Sequence, residues 1–302
     1  MHKIDLGKFS LRTDLIIDSN DNNLVTESRK KFDLGEVIRC VSKDKKDNYV
    51  TITFNDITDK DNFKKVEECF ISELKSFFTR LNLSDTDSVL VVGLGNDRST
   101  PDALGPIVID NVLVTKYLFN LGEVEEGYQN VCSFKPDVTG CTGLETVSII
   151  KSITDVSNAK CVILIDALAA SSVERLNKII QITDTGIHPG SGVSNNRGEI
   201  SKVTLGVPVI AIGVPTIVDA NTIVADTFDK IDSFFSERDS SVLGRLSELT
   251  KSEFKQLLEE ISISDNNLMV TPKEIDFVIE KLGLLIGNGI NKTVHKNFNT
   301  TK

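Results

Sequence analysis

VLVVGLGNDRSTPDALGP, residues 89–106, begins as an apolar run and turns abruptly polar. Val89 to Gly93 reads as a short strand buried on both faces, the form that strands take in a parallel sheet covered by helices. Gly93 and Gly95 open backbone angles closed to other residues, so the chain can reverse sharply after the strand. Asn96 to Thr100 form a polar loop. Asp102 follows, just ahead of an apolar-periodic segment that reaches about Leu121. Ligands and chemistry in open α/β sheets gather at the carboxyl ends of the strands, which makes Asp102 the first candidate for a working carboxylate.

Further apolar runs extend the pattern downstream. Cys161-Val-Ile-Leu-Ile165 predicts a second buried strand, ending at Asp166. Lys178 to Thr183 predicts a third, followed by a turn-rich loop that carries His188, and Pro208 to Val214 a fourth, followed by a helix to about Glu237. Thr142 and Glu145 stand in capping-box spacing before Val147, Ile149 and Ile150, so a helix is expected to start there. Upstream, Phe63, Val66, Phe70, Leu74, Phe77 and Leu81 recur at spacings of three and four, the signature of an amphipathic helix. Tyr49 to Phe54 alternates and is β-branched, and Lys43 to Asp47 looks like the tip of a hairpin. Leu243–Ile261 and Pro272–Ile286 have helical period, and residues 287–302 are polar with little to bury. Strands alternating with helices predict an α/β fold with a doubly wound, mostly parallel sheet flanked by helices.

Composition bounds the function. The chain has 302 residues, 40% hydrophobic and 26% charged, with a formal net charge of -10. Its mean hydropathy of -0.04 places it among ordinary globular chains. An acidic balance argues against direct nucleic-acid binding. Five cysteines with no CxxC pair suit a reducing compartment and read as core residues. No apolar run is long enough to span a bilayer, so a soluble intracellular protein without membrane contact is expected.

Asp102 and Asp166 both follow predicted buried strands, so the fold is expected to bring them to one edge of the sheet. Two neighbouring carboxylates do not both ionise cheaply; they can divide the roles of acid and base, or both ligate a cation. Either could instead be a plain helix N-cap, the reading that fits Asp219 better. His188 could join them as a third metal ligand or in proton transfer, or stand solvated in its loop. The GLGN turn lacks both the third glycine of G-x-G-x-x-G and the Lys of a P-loop, which leaves a nucleotide-binding module poorly supported. Neither G-x-S-x-G nor H-E-x-x-H occurs, which removes most support for serine hydrolase and zincin chemistry.

GLGNDRSTPDALGP, VTGCTGLET, IDALAASS, QITDTGIHPGSGVSNNRGEIS and TLGVPVIAIGVPTIVDA occur in that order and resemble the germination protease family of endospore-forming bacteria. The likeness is dense from Val89 to Asp226, and KIDLGKFSLRTDL near the N-terminus resembles that family's opening segment. Ser171 stands where the family usually carries an arginine, and Ser194 where it carries a glycine. The resemblance implies an endopeptidase that initiates degradation of small acid-soluble spore proteins during germination, located in the cytoplasm of the forespore and in the spore core. It also implies a homotetramer and a zymogen: a propeptide over residues 1–14, removed by self-processing at the Asp14–Leu15 bond. The mature chain, residues 15–302, is expected to be one α/β protease domain with a small β-rich insertion near residues 36–58 and C-terminal helices over 240–290.

The implied fold is similar to that of hydrogenase-maturation endopeptidases, of the phosphorylase/hydrolase-like kind. By alignment with their motifs, Asp102 and Asp166 take the positions of two acidic metal ligands, and His188 that of a histidine ligand. An aspartic-type dyad of Asp102 and Asp166, with no cofactor, is the preferred mechanism; a divalent metal held by Asp102, Asp166 and His188 is the alternative. The competing function is a metal-dependent maturation-type endopeptidase acting on another protein.

Overall fold

The computed structural model describes residues 24–44, 46–170, 172–188, 198–224, 226–227, 230 and 268–298. The predicted helix over 243–261, the Asp14–Leu15 bond, Ser171 and Ser194 lie outside them. Three strands come first: β1 (Leu24–Phe32), β2 (Gly35–Ser42) and β3 (Asn48–Phe54). They form an antiparallel meander, with the β2–β3 hairpin tip at the expected Lys43 to Asp47. Helix α1 (Lys60–Arg80) follows, its start set by Asp59, whose carboxylate accepts the Asn62 N–H at 2.8 Å. Val66, Phe70, Leu74 and Phe77 form its buried face, at the spacing that the sequence shows.

Next come β4 (Val89–Gly93), a 3-10 turn (Thr100–Asp102), α2 (Leu104–Asp110), α3 (Lys116–Leu121), β5 (Val131–Phe134), α4 (Thr139–Thr142) and α5 (Thr146–Ser157). The Thr142–Glu145 capping box does not form. The N-cap of α5 is Glu145, with no side-chain bond, while a capping box closes between Ser201 and Thr204 at α6 (Lys202–Leu205). The remaining described elements are β6 (Cys161–Ala170), β7 (Ile179–Thr183), β8 (Val209–Asp219), β9 (Met269–Val270) and α7 (Ile275–Val294).

All nine strands among the described residues join one sheet, in the order β1-β2-β3-β7-β8-β6-β4-β5, with β9 beside β8. This corrects the expected doubly wound, mostly parallel sheet, and with it the architecture implied by the likeness to hydrogenase-maturation endopeptidases. Only β4 with β5, β4 with β6 and β6 with β8 are parallel. The pairs β1/β2, β2/β3, β3/β7, β7/β8 and β8/β9 are antiparallel, so the sheet is mixed and mostly antiparallel. The physical reason lies in the connection from β6 to β7. Residues 171–178 are too few for a crossover, which needs about a dozen residues, so β7 returns antiparallel. An apolar run such as IIQIT reports burial on both faces and carries no information about strand direction.

Alternate residues of the parallel strands feed two layers. Val89, Val91, Ile163, Ile165, Ile210 and Ile212 face α1, α2 and α7. Leu90, Val92, Leu94, Val162, Leu164, Val209 and Ala211 face the opposite way, against Ile150 of α5 and Leu205 of α6. The expected polar tail beyond residue 286 is instead the second half of α7, with Ile290, Asn291 and Val294 buried, followed by buried His295. Glycines make this packing. A Cβ at Gly283 would stand 2.4 Å from Ile107 of α2, and one at Gly289 would stand 2.4 Å from Phe70 of α1. The five cysteines are free thiols, and the core reading fits Cys161, whose thiol burial pushes up to about 12; Cys141 is exposed. Among the described residues no helix is long and apolar enough to cross a membrane.

Candidate active site

The end of β4 is built by close backbone contacts. A Cβ at Gly93 would stand 2.3 Å from the carbonyl oxygen of Gly105, and a Cβ at Gly105 would stand 2.1 Å from that of Leu94. Helix α2 therefore starts directly against the main chain of the strand end. Gly95 has φ +106°, and the loop after it closes on itself: Asn96 N donates to Asp102 O at 3.0 Å, and Asp102 N donates to Ser99 O at 2.8 Å. A Cβ at Gly95 would stand 2.0 Å from Asp102 O and 3.1 Å from its Oδ1. Asp102 thus lies over the glycine turn, half-buried.

Asp166 reaches the same edge from the neighbouring strand. Gly93 pairs with Ile165 in the parallel ladder, and Leu94 N donates to Ile165 O at 2.8 Å. Asp166 is the next residue, half-buried, with its Oδ1 accepting the Ala167 N–H at 3.0 Å. The 3-10 turn that ends in Asp102 packs against β6 and β8.

The cap alternative applies to neither acid. The N-cap of α2 is Ala103 and that of the 3-10 turn is Ser99. Asp166 sits inside β6, which runs on to Ala170. Asp219 does act as expected of a cap: its Oδ1 accepts the Asn221 N–H at 2.8 Å, at the start of helical residues 220–224.

The model of the germination protease family matches residues 13–240 and 232–302. The chain belongs to the germination protease family. It is a peptidase, a hydrolase acting on peptide bonds. The germination protease of Bacillus subtilis (strain 168) is 40% identical over 97% of this chain and 96% of the relative. That of Bacillus cereus (strain B4264) is 40% identical over 97% and 95%, and that of Bacillus licheniformis 39% identical over 98% and 96%.

His188 is exposed and follows Ile187, which forms an antiparallel bridge with Ile200 (N–O 3.0 and 2.9 Å). Both isoleucines pack with Leu94 in the cluster on the Asp166 face. Among the described residues, no three His, Cys, Asp or Glu side chains stand together so as to hold a metal ion, so His188 does not join Asp102 and Asp166 in such a group.

Two further polar residues lie on β7 and in the turn after it. Asp184 accepts from Asn48 through both oxygens, at 2.8 Å from the backbone N and 2.6 Å from Nδ2, and so ties the turn after β7 to β3. Gln181 is buried in the middle of β7. Its signal in the sequence was a lone amide inside an apolar run.

Proposed function

We propose that this peptidase cleaves small acid-soluble spore proteins during germination, with Asp102 and Asp166 as its catalytic pair. The observation that carries the reading is the placement of these two half-buried acids beside the end of β4, Asp102 over the Gly95 turn and Asp166 next to the Ile165 that pairs with Gly93, neither of them a helix N-cap, in a chain of the germination protease family. One carboxylate, ionised, activates a water for attack on the scissile carbonyl. The other, protonated, polarises that carbonyl and then protonates the leaving amine. Such a pair titrates as a unit, so acid and base are roles of the pair.

The same reading takes residues 1–14 as a propeptide released by self-processing at Asp14–Leu15, and residues 15–302 as one protease domain. It takes the assembly as a homotetramer, working in the forespore and spore core. The test is cleavage of a purified small acid-soluble spore protein by the form beginning at Leu15, with and without a strong chelator. Cleavage that survives chelation and is abolished by Asp102→Asn or Asp166→Asn supports the pair. Normal cleavage by either variant removes that residue from the mechanism, and cleavage lost on chelation and restored by a divalent ion replaces the dyad with a metal site.

A further inference from the structure

Helix α5 returns the chain from β5 to β6, and both strands run parallel to β4. It therefore starts at the carboxyl edge of the sheet and ends at the amino edge, where Lys160 N donates to Ser88 O at 2.7 Å. The start lies at the edge that carries Asp102 and Asp166. It also lies on the Asp166 face, because side chains alternate along β6 and Asp166 follows Val162 and Leu164, which cluster with Ile150 of α5. Val147, in the first turn of α5, stands against Gly198, where a Cβ would come within 3.1 Å of its Cγ2. Gly198 leads into Ile200 and its bridge to Ile187, next to His188.

This helix start is uncapped. Its N-cap, Glu145, makes no side-chain bond, and among the described residues nothing accepts from the N–H groups of Thr146 and Val147. A second observation is independent of the backbone. Thr146 is 3% exposed, yet its hydroxyl oxygen has no hydrogen-bond partner. Buried hydroxyls are ordinarily bonded, and a valine of the same shape would fill the place without an orphaned oxygen. Helical Cα–Cβ bonds tilt toward the N-terminus, so at the first helical position this side chain lies toward the mouth of the helix, beside the two N–H groups. Donors gathered at the positive end of a helix suit an anion.

Arg98 adds a full charge at the same edge. It stands in the loop between Gly95 and Asp102, exposed, with its backbone N–H donating to Asn96 Oδ1 at 2.9 Å, and its guanidinium pairs with no carboxylate among the described residues. Cys141 of α4, the short helix just before α5, lies within electrostatic reach of Arg98, Asp97 and Asp137. Of those acids, Asp137 already accepts the Val138 N–H at 2.7 Å.

We infer that the start of α5 and Arg98 form a substrate subsite for a carboxylate, the side chain of an aspartate or glutamate next to the bond that is cut. The Thr146 and Val147 N–H groups, the Thr146 hydroxyl and the guanidinium are its donors. The inference rests on reading the edge that carries Asp102 and Asp166 as the place of cleavage. An ionised carboxylate is the polypeptide group that matches such a set, since it only accepts and takes a guanidinium through both oxygens. The bond proposed above for self-processing follows a residue of this kind, Asp14.

The test uses a labelled decapeptide of residues 8–17, KFSLRTDLII, in which Asp14 is the only acid, and the same peptide with Asp14→Asn. Fluorescence anisotropy reads the affinity of each for the form beginning at Leu15 with Asp166→Asn, which leaves peptide uncut under the proposed mechanism. The acidic peptide should bind about tenfold more tightly than the amide peptide. Arg98→Met and Thr146→Val should each bring that ratio to about threefold or less, with the amide peptide bound within about twofold of its original affinity. Lys151→Met removes an exposed cation farther along α5 and should leave the ratio at about tenfold. Equal affinities for the two peptides, or a ratio unmoved by Arg98→Met and Thr146→Val, overturn the subsite and leave the dyad standing. Peptide cleavage by the Asp166→Asn form overturns the dyad instead, and the same ratio read as kcat/KM then decides the subsite. Arg98 is exposed, so Arg98→Met decides alone if Thr146→Val does not fold.

Discussion

Replacing Gly95 with alanine isolates the geometry of Asp102 without touching its carboxylate. Two costs arise from the structure. At φ +106° an L-residue is strained by about 1–3 kcal/mol. The new Cβ would also stand 2.0 Å from Asp102 O, where real Cβ contacts are essentially never under 3.0 Å, so a shift of at least 1.0 Å (3.0 less 2.0) is required. The clashing atom is backbone and cannot swing aside, so Asp102 moves as a whole and its 3.0 Å bond from Asn96 N breaks. A misplacement of about 1 Å costs on the order of 100-fold in rate when the moved group is catalytic. Gly95→Ala should therefore lower kcat about 100-fold on the spore-protein substrate and lower Tm by several degrees. Gly122→Ala is the control: its φ is +73° and its Cβ would meet nothing within 4 Å, so it should carry backbone strain alone and leave kcat unchanged. A Gly95→Ala enzyme with kcat within about threefold of the parent would refute the claim that the position of Asp102 limits the rate.

Three further outcomes are expected. Neutral His295 accepts the Gln129 N–H on Nδ1 at 3.2 Å and reaches Leu113 O from Nε2 at 3.2 Å, and burial holds its pKa below the ordinary value. On acidification the unfolded chain takes up this proton first, so the stability is fully present above about pH 6.5 and is lost as pH falls toward the folded pKa, by up to about 1.4 kcal/mol per pH unit. Urea midpoints at about pH 7.5 and 5.5 should differ less in His295→Gln than in the parent, and equal differences would count against it. Gly287→Ala gains about 1 kcal/mol of helix propensity but places a Cβ 2.6 Å from that of Asn111; crowding of about 1–3 kcal/mol should make it net destabilising in denaturant, and a stabilised variant would show that α7 can retreat from α2. Arg39 donates through Nε to Glu73 at 2.8 Å and again through Nη2, and Glu73 is 3% exposed. Arg39→Met strands that carboxylate and should cost about 3 kcal/mol in urea unfolding, whereas a loss under about 1 kcal/mol would mean that Glu73 finds water.

Local elements were legible because their causes are local. The apolar run at Val89, the glycines after it, and the three-and-four spacing over Phe63–Leu81 each state a conformation within a few residues, and α1 and β4 lie where those patterns place them. The second half of α7 was not legible, since Gly287, Gly289 and Asn291 dilute its apolar stripe. Glycine there marks close helix contact, a property of the partner surface that the segment itself does not display. Thr142 and Glu145 have capping-box spacing, but the chain turns left-handed at Gly143 between them, so the helix begins at Thr146.

The candidate acids divide in the same way. From sequence alone, Asp102 and Asp166 could be placed after buried apolar runs, but the strand end expected at Asp166 is not there: β6 runs on to Ala170 because its pairing with β8 continues past the acid. The placement of both acids beside the end of β4, the antiparallel return of β7 and the start of α5 at the same edge belong to the tertiary structure. Strand direction and register arise from connection length and from side chains far apart in the chain, and a periodicity of two along one strand holds no record of its neighbours.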